Sequence, residues 1–296
     1  MNDFRVQFDQ PDLVNLKKKY TVVDMHFHSN YSDGFNTIKA IASRAKSLDI
    51  AIAITDHNAI QGALDIDKFK DVLSIPGIEV TSREGTHVLV YFYDTSSLKK
   101  FYTTEIKPHL GDDVMSSTKL RMEEIIQRAR KYKCVIIFPH PYSAGYTGIY
   151  NSHFNEKDRK QLFKFIDGFE AINAENLHRW NLKSSLLALN FNKAITGGSD
   201  GHTLAYMGKV VTCIKCKPTR KSILDNILKG NTIIIGKELN LFRRATSNGY
   251  KMRMNIKNYP ELVEKNIAYS YRMINKRANN IKQHVGTKIR ILRNNP

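Results

Sequence analysis

Short apolar runs separated by helix-patterned stretches recur through the first 240 residues, and this alternation narrows the fold more than any other feature of the chain. "YTVVDMHFHS" reads as the first strand. A helix is expected next, from a cap at Asn36 or Thr37, with Ile38, Ile41, Ala42, Ala45 and Leu48 on one stripe. "IAIAITDH" is apolar on both faces, as a buried parallel strand requires. "VLSIPGIEVT", "THVLVYFY", "CVIIFPHP", "IDGFEAIN", "KAITGGSDGH", "GKVVTCIKC" and "NTIIIGKE" continue the series. A largely helical stretch is expected from Ser96 to Tyr132, its second helix carrying Leu120, Ile125, Ala129 and Tyr132. Alternation of this kind builds a largely parallel sheet or barrel, so the expected fold class is α/β.

Polar residues with metal-binding chemistry gather at the ends of these runs. His26 and His28 close the first, His57 the second, Glu79 the third and His140 the fifth, while Asp200 and His202 follow a later one. His87 opens "HVLVYF", and Asp33 lies in the turn-rich loop after the first strand. In parallel βα architectures the strand C-termini meet at one rim, where active sites lie. Period-two geometry turns Asp24, His26 and His28 to one face, so two imidazoles can grip one cation. Asp24, one step below His26, is expected to accept its second ring N–H and hold its orientation.

These motifs resemble the polymerase and histidinol phosphatase (PHP) family of metal-dependent phosphoesterases, in its small stand-alone form. "HFHSNYSDG", "ITDHN", "GIEVTSREGTHVLVYF", "FPHP" and "GGSDGH" stand in the family's order, and the resemblance covers roughly residues 20–240. It implies a distorted (β/α)7 barrel holding two or three divalent ions, a trinuclear site at the fullest. Carried over by motif, His26, His28, Glu79 and Asp200 hold the first metal. Glu79 bridges to a second, completed by His87 and His140, and Asp33, His57 and His202 hold a third. Manganese, iron or zinc suit these nitrogen and oxygen donors, and magnesium suits them poorly. The implied chemistry is hydrolysis of a phosphate ester by a hydroxide bridging two ions, with no covalent intermediate.

Charge bears on the substrate. The formal net charge is +18, and residues 245–296 contribute +9 of it, from eleven Lys/Arg against two Glu. Polyanionic partners fit such a balance, as does a merely solvated basic surface. The resemblance, whose stand-alone members include nucleotide phosphatases and 5′-to-3′ exonucleases, implies as substrate a nucleotide or the end of a short single-stranded nucleic acid, and the positive balance fits either. Arg83 and Arg179, near the rim, are candidate phosphate contacts. Tyr142, with Tyr146 and Tyr150 in the same loop, either stacks on a base or simply packs the loop. Alternatives are a small-metabolite phosphatase acting on a compound such as histidinol phosphate, and a nucleic-acid-binding protein with structural metals. An amidohydrolase also opens with H-x-H, but its metals are usually bridged by a modified lysine where Glu79 stands here.

Two further expectations concern organisation. The alternation stops after Arg244, dividing a phosphoesterase domain (1–244) from a basic C-terminal extension (245–296). No run approaches the roughly 18 apolar residues of a membrane span, and "MNDFRVQFDQ" lacks the layout of a signal peptide, so the protein is expected to be cytoplasmic. Cys213 and Cys216 form a C-x-x-C on a strand, where positions i and i+3 point to opposite faces and make a poor zinc or redox pair.

Overall fold

The structure, a computed structural model, describes residues 5–143, 146–239 and Tyr271. The basic extension from 245 onward, apart from Tyr271, lies outside the described residues. Ten strands make one sheet: β1 (Val6–Gln7), β2 (Thr21–Phe27), β3 (Ala51–Ile54), β4 (Ser74–Thr81), β5 (His87–Phe92), β6 (Cys134–Phe138), β7 (Gly168–Asn173), β8 (Ala194–Gly198), β9 (Val210–Ile214) and β10 (Ile233–Gly236). Around it run α1 (Leu13–Leu16), α2 (Ile38–Leu48), α3 (Gln61–Ile66), α4 (Thr95–Phe101), α5 (Met122–Ala129), α6 (Glu156–Phe163), α7 (His178–Asn190) and α8 (Arg220–Leu228). The strand order is β1-β10-β9-β2-β3-β4-β5-β6-β7-β8.

The expected α/β barrel is present with additions and local departures. Pairings β2–β3, β3–β4, β6–β7 and β7–β8 are parallel, whereas β4–β5, β5–β6, β2–β9 and β9–β10 are antiparallel. The link from β4 to β5 is too short for a crossover, so the chain must turn back. Gly85, at φ +82°, supplies the left-handed residue in that turn. The helical stretch expected from Ser96 is also interrupted. After α4 it loosens and then tightens, through a π turn (Tyr102–Ile106) and a 3-10 turn (Lys107–His109), and Leu120 lies outside α5. Pro108 has no N–H to continue the ladder. The cap of α2 is Thr37, whose side chain accepts the Ala40 N–H.

Alternate residues of the strands feed two apolar clusters, as the pleat dictates. Val23, Met25, Ala51, Ala53, Ile75, Leu89, Tyr91, Val135 and Ile137 pack together with Ile223, Leu224 and Ile227 of α8. Ile52, Ile54, Ile78, Val80, Val88, Val90, Phe92, Ile136 and Phe138 belong to the larger cluster, with the buried faces of α2 and α5. The sheet curls until the end of β8 meets β2. There the Asp200 N–H donates to the His26 carbonyl at 2.8 Å and the His28 N–H to the Gly201 carbonyl at 3.0 Å. Glycine is required for this approach: a Cβ on Gly198 would stand 2.4 Å from the His26 Cβ and 2.5 Å from its backbone N.

Candidate metal centre

Curling the sheet brings the nine predicted ligand side chains into one cluster, seven of them buried and His87 and Asp200 partly exposed. His26 and His28 leave the end of β2 with their ring centroids 5.1 Å apart and their Nε2 atoms at 3.1 Å. Glu79, on β4, reaches between two sets of histidines. Its Oε2 lies 3.3 Å from His26 Nε2, 3.4 Å from His28 Nε2 and 3.2 Å from His57 Nδ1. Its Oε1 lies 2.9 Å from His87 Nδ1 and 3.3 Å from His140 Nε2. Asp200 Oδ1 completes the first set, 3.1 Å from His28 Nε2 and 3.5 Å from His26 Nε2. On the other side, Asp33 Oδ2 is 3.0 Å from His202 Nε2, and its Oδ1 is 3.8 Å from His57 Nε2 and 3.7 Å from His28 Nδ1.

These donors fit divalent ions. Ligands about 2.0–2.2 Å from an ion stand roughly 3.3–3.6 Å from one another in a tetrahedral shell. The distances from His26 and His28 to each other, to Glu79 and to Asp200 run from 3.1 to 3.5 Å. Among the described residues, three groups have ligand atoms all within 4.8 Å of one another: His26, His28 and Glu79; His57, Glu79 and His87; and His28, Asp33, His57 and His202. His57 and His28 thus each stand between two groups, more shared than the sequence motifs imply. Ring nitrogens His28 Nδ1 and His140 Nδ1 are buried with no hydrogen-bond partner among the described residues, an arrangement that costs free energy unless a cation or a water takes the lone pair. Among the described residues, the ion pairs of Glu79 and Asp33 are all with histidines.

Electrostatics keep the Glu79 and Asp33 carboxyls ionised and divide the histidines, with His57 lowered and His26 and His140 raised. Burial opposes ionisation of Glu79, but His87, His57, His26 and His140 hold its carboxyl well below the usual range. Asp33 is likewise buried yet kept well below its usual value by His202, His57 and His28. Burial drives His57 down to about 3, against the pull of Glu79 and Asp33, so its ring is neutral. His26 goes the other way: burial would lower it, but Asp200, Glu170 and Glu79 raise it well above the ordinary imidazole value. Three carboxylates around one enclosed ring demand positive charge, from a proton or from a metal ion.

Supporting residues differ from expectation in one respect. Asp24 does not hold the His26 ring. A register shift in β2 between Asp24 and Phe27 breaks the strict two-residue period, and Asp24 turns toward the β8 end. Its Oδ1 accepts the Ser199 N–H at 2.9 Å, and its Oδ2 accepts the Ser199 hydroxyl at 2.7 Å and the Gly208 N–H at 2.9 Å. Burial nonetheless pushes Asp24 up to about 6. The His26 Nδ1 partner is Glu170 Oε1, at 3.0 Å. Asp56, beside His57, orders the loop that carries Asp33: it accepts the Ser29 N–H at 2.7 Å, the Ser29 hydroxyl at 2.7 Å and the Ser32 hydroxyl at 2.8 Å.

Arg83 and Arg179 are exposed, the guanidinium of Arg179 lying 5.3 Å from the Trp180 ring centroid. Tyr142 stacks on Tyr150 at 4.1 Å, with Arg159 over the Tyr150 ring and Lys183 5.8 Å from the Tyr142 centroid. Tyr146 packs against Gly85 of the β4–β5 turn. Cys213 is buried in β9 and Cys216 half-buried beyond it, neither in a disulfide.

Comparison with known proteins agrees with the geometry. Residues 24–203 match the PHP domain family and residues 178–232 the PHP-associated family. No curated protein matches the sequence. Among solved structures, PsfC from Pseudomonas syringae is 18% identical, with a TM-score of 0.57, covering 80% of this chain and 99% of that one. A two-domain protein from Bacteroides vulgatus containing a predicted PHP-like metal-dependent phosphoesterase is 18% identical, with a TM-score of 0.54, covering 82% of this chain and 73% of that one. Endonuclease Q, in complex with a 27-mer duplex substrate carrying an abasic lesion at the active site, is 18% identical, with a TM-score of 0.59, covering 74% of this chain and 60% of that one. At such identities the likeness is one of fold, whereas the family match spans more than half of the 296 residues. The chain belongs to the PHP domain family, as a metal-dependent hydrolase.

Proposed function

We propose that this hydrolase is a phosphoesterase acting on a nucleotide or on the end of a short single-stranded nucleic acid, in the cytoplasm. The observation that carries the reading is Glu79, whose two oxygens face two different sets of imidazoles within 3.4 Å. His26, His28, Glu79 and Asp200 would hold one divalent ion, Glu79, His87 and His140 a second, and Asp33, His57 and His202 a third. Manganese, iron or zinc in these places would supply a Lewis acid, lowering the pKa of a water and neutralising phosphoryl oxygens.

The chain's own residues contribute the rest. Glu79 holds the two sets of imidazoles at fixed separation, and Asp33 holds His202 and His57 against the same cluster. Arg83, Arg179 and Tyr142 are the proposed contacts to the substrate's phosphate and base. No thiol nucleophile is called for, and burial pushes Cys134 and Cys213 up to about 12, far from the thiolate form at neutral pH. The charge of +18 favours a polyanion, and Endonuclease Q with its bound duplex gives the same direction. Residues 245–296 we assign to a basic extension distinct from the phosphoesterase domain of residues 1–244.

Metal-stripped protein reconstituted with manganese, then offered a nucleotide bisphosphate, a short RNA and histidinol phosphate over a salt series, tests this. Oligonucleotide cleavage is expected, falling steeply with ionic strength. Turnover of histidinol phosphate alone would overturn the substrate class.

A further inference from the structure

Strand β7 supplies none of the nine predicted ligands, yet two of its side chains reach three of them. Glu170 is 1% exposed, in the middle of the strand. Its Oε1 meets His26 Nδ1 at 3.0 Å, while its Oε2 accepts the backbone N–H of His140 at 2.9 Å and the Asn173 side-chain amide at 2.9 Å. Asn173 Nδ2 also donates to Asp200 Oδ2 at 3.1 Å. A side-chain amide thus ties the carboxylate that holds two histidines to a third ligand.

The geometry of the backbone adds to this. His140 and Asp200 both have positive φ, 29° and 50°, in the region that L-residues avoid. Such conformations persist only where surrounding contacts over-determine them. At His140 the N–H bond to Glu170 is such a contact, and at Asp200 the Asn173 bond is another. Asn173 is itself fixed: its N–H donates to Asn181 Oδ1 at 3.1 Å, and Asn181 Nδ2 donates to its carbonyl at 2.9 Å.

A carboxylate only accepts hydrogen bonds, so Glu170 requires the proton of His26 on Nδ1. In the neutral ring the other nitrogen, Nε2, then presents its lone pair toward Glu79 and Asp200. We propose that Glu170 and Asn173 are positioning residues: Glu170 sets the tautomer of His26 and the backbone of His140, and Asn173 aims Asp200. Neither touches substrate or ion. This rests on the reading of the nine side chains as metal ligands and extends it to the strand that organises them. An ion entering the site meets donors already turned toward it, which raises affinity without adding a ligand.

The test is metal binding and ring spectroscopy on the full-length protein. In zinc-loaded wild type, nitrogen-detected NMR of the histidine rings is expected to show His26 coordinated through Nε2 with the proton on Nδ1; coordination through Nδ1 would overturn the proposal without any variant. Glu170→Gln and Asn173→Ala are expected to keep the wild-type circular dichroism spectrum while zinc affinity falls about 10- to 100-fold. They are also expected to shift the visible spectrum of the cobalt-substituted protein. Folded variants with wild-type affinity and spectra would sink the positioning role and leave the ligand reading standing. Wild-type protein that takes up no zinc would instead remove the ligand reading, and this proposal with it.

Discussion

Glu79 Oε1 lies 2.9 Å from His87 Nδ1, two groups eight residues apart that face each other only because β4 and β5 form an antiparallel hairpin. The same carboxylate turns its other oxygen to His26 and His28, so one side chain links histidines from both halves of the ligand sequence. Glu79→Ala should therefore disturb two sets at once. The expected outcome is fewer bound ions per chain by elemental analysis and a fall in phosphoesterase rate of at least about 100-fold, since metal-assisted charge stabilisation supplies several kcal/mol.

On the proposed ligand set, protons and metal ions compete for His26. Its pKa is raised well above the ordinary value, burial being outweighed by Asp200, Glu170 and Glu79. Below that raised pKa the ring is protonated, and an ion must displace the proton to bind. Zinc affinity measured calorimetrically should rise with pH across the neutral range, by about tenfold per unit for each proton released, and level off above the raised pKa. His57, already held down to about 3, adds nothing to that slope.

Gly198 is where β8 and β2 touch. A methyl group there would meet the His26 Cβ at 2.4 Å and its backbone N at 2.5 Å, and backbone has little room to yield. Gly198→Ala should cost about 1–3 kcal/mol of stability, read as a lower Tm by scanning calorimetry, and should weaken metal binding because His26 moves with the strand.

Asp24→Asn exchanges an acceptor-only group for one that places an amide against the Ser199 and Gly208 donors. A buried donor facing a donor is costly, about 1–3 kcal/mol and more where the lost partner was charged. Denaturant unfolding of the metal-free protein should show this loss, separating it from any effect on the ions.

What the sequence made legible was chemistry at strand ends. His26, His28, His57, Glu79, His140 and Asp200 sit where apolar runs stop, and a curled sheet gathers such positions whatever its details. The partners that aim them were harder to see. Glu170 lies inside "GFEAIN", where nothing in the pattern tells whether its carboxylate faces the histidines, and Asp24 sits nearer His26 in the chain, as period two would have it. The register shift after Asp24 decided between them, and a shift of that kind has no local signature. Asp56 was similarly hidden beside His57, though the serines at 29 and 32 that it binds lie in a loop rich in hydroxyls. The β4–β5 hairpin was foreshadowed by "REG", since so short a link with a glycine favours a turn back over a crossover. Pro108 was the matching signal for the broken helix after Phe101.

The bond between Asp24 and Ser199 joins residues 175 positions apart, and the predicted ligands run from His26 to His202. A chain still on the ribosome, with β8 unmade, has the first histidines but not the strand that encloses them. On the proposed ligand set, the first site is complete only after Asp200 has been made and has left the ribosome, so a product terminated before it is expected not to retain that site's metal.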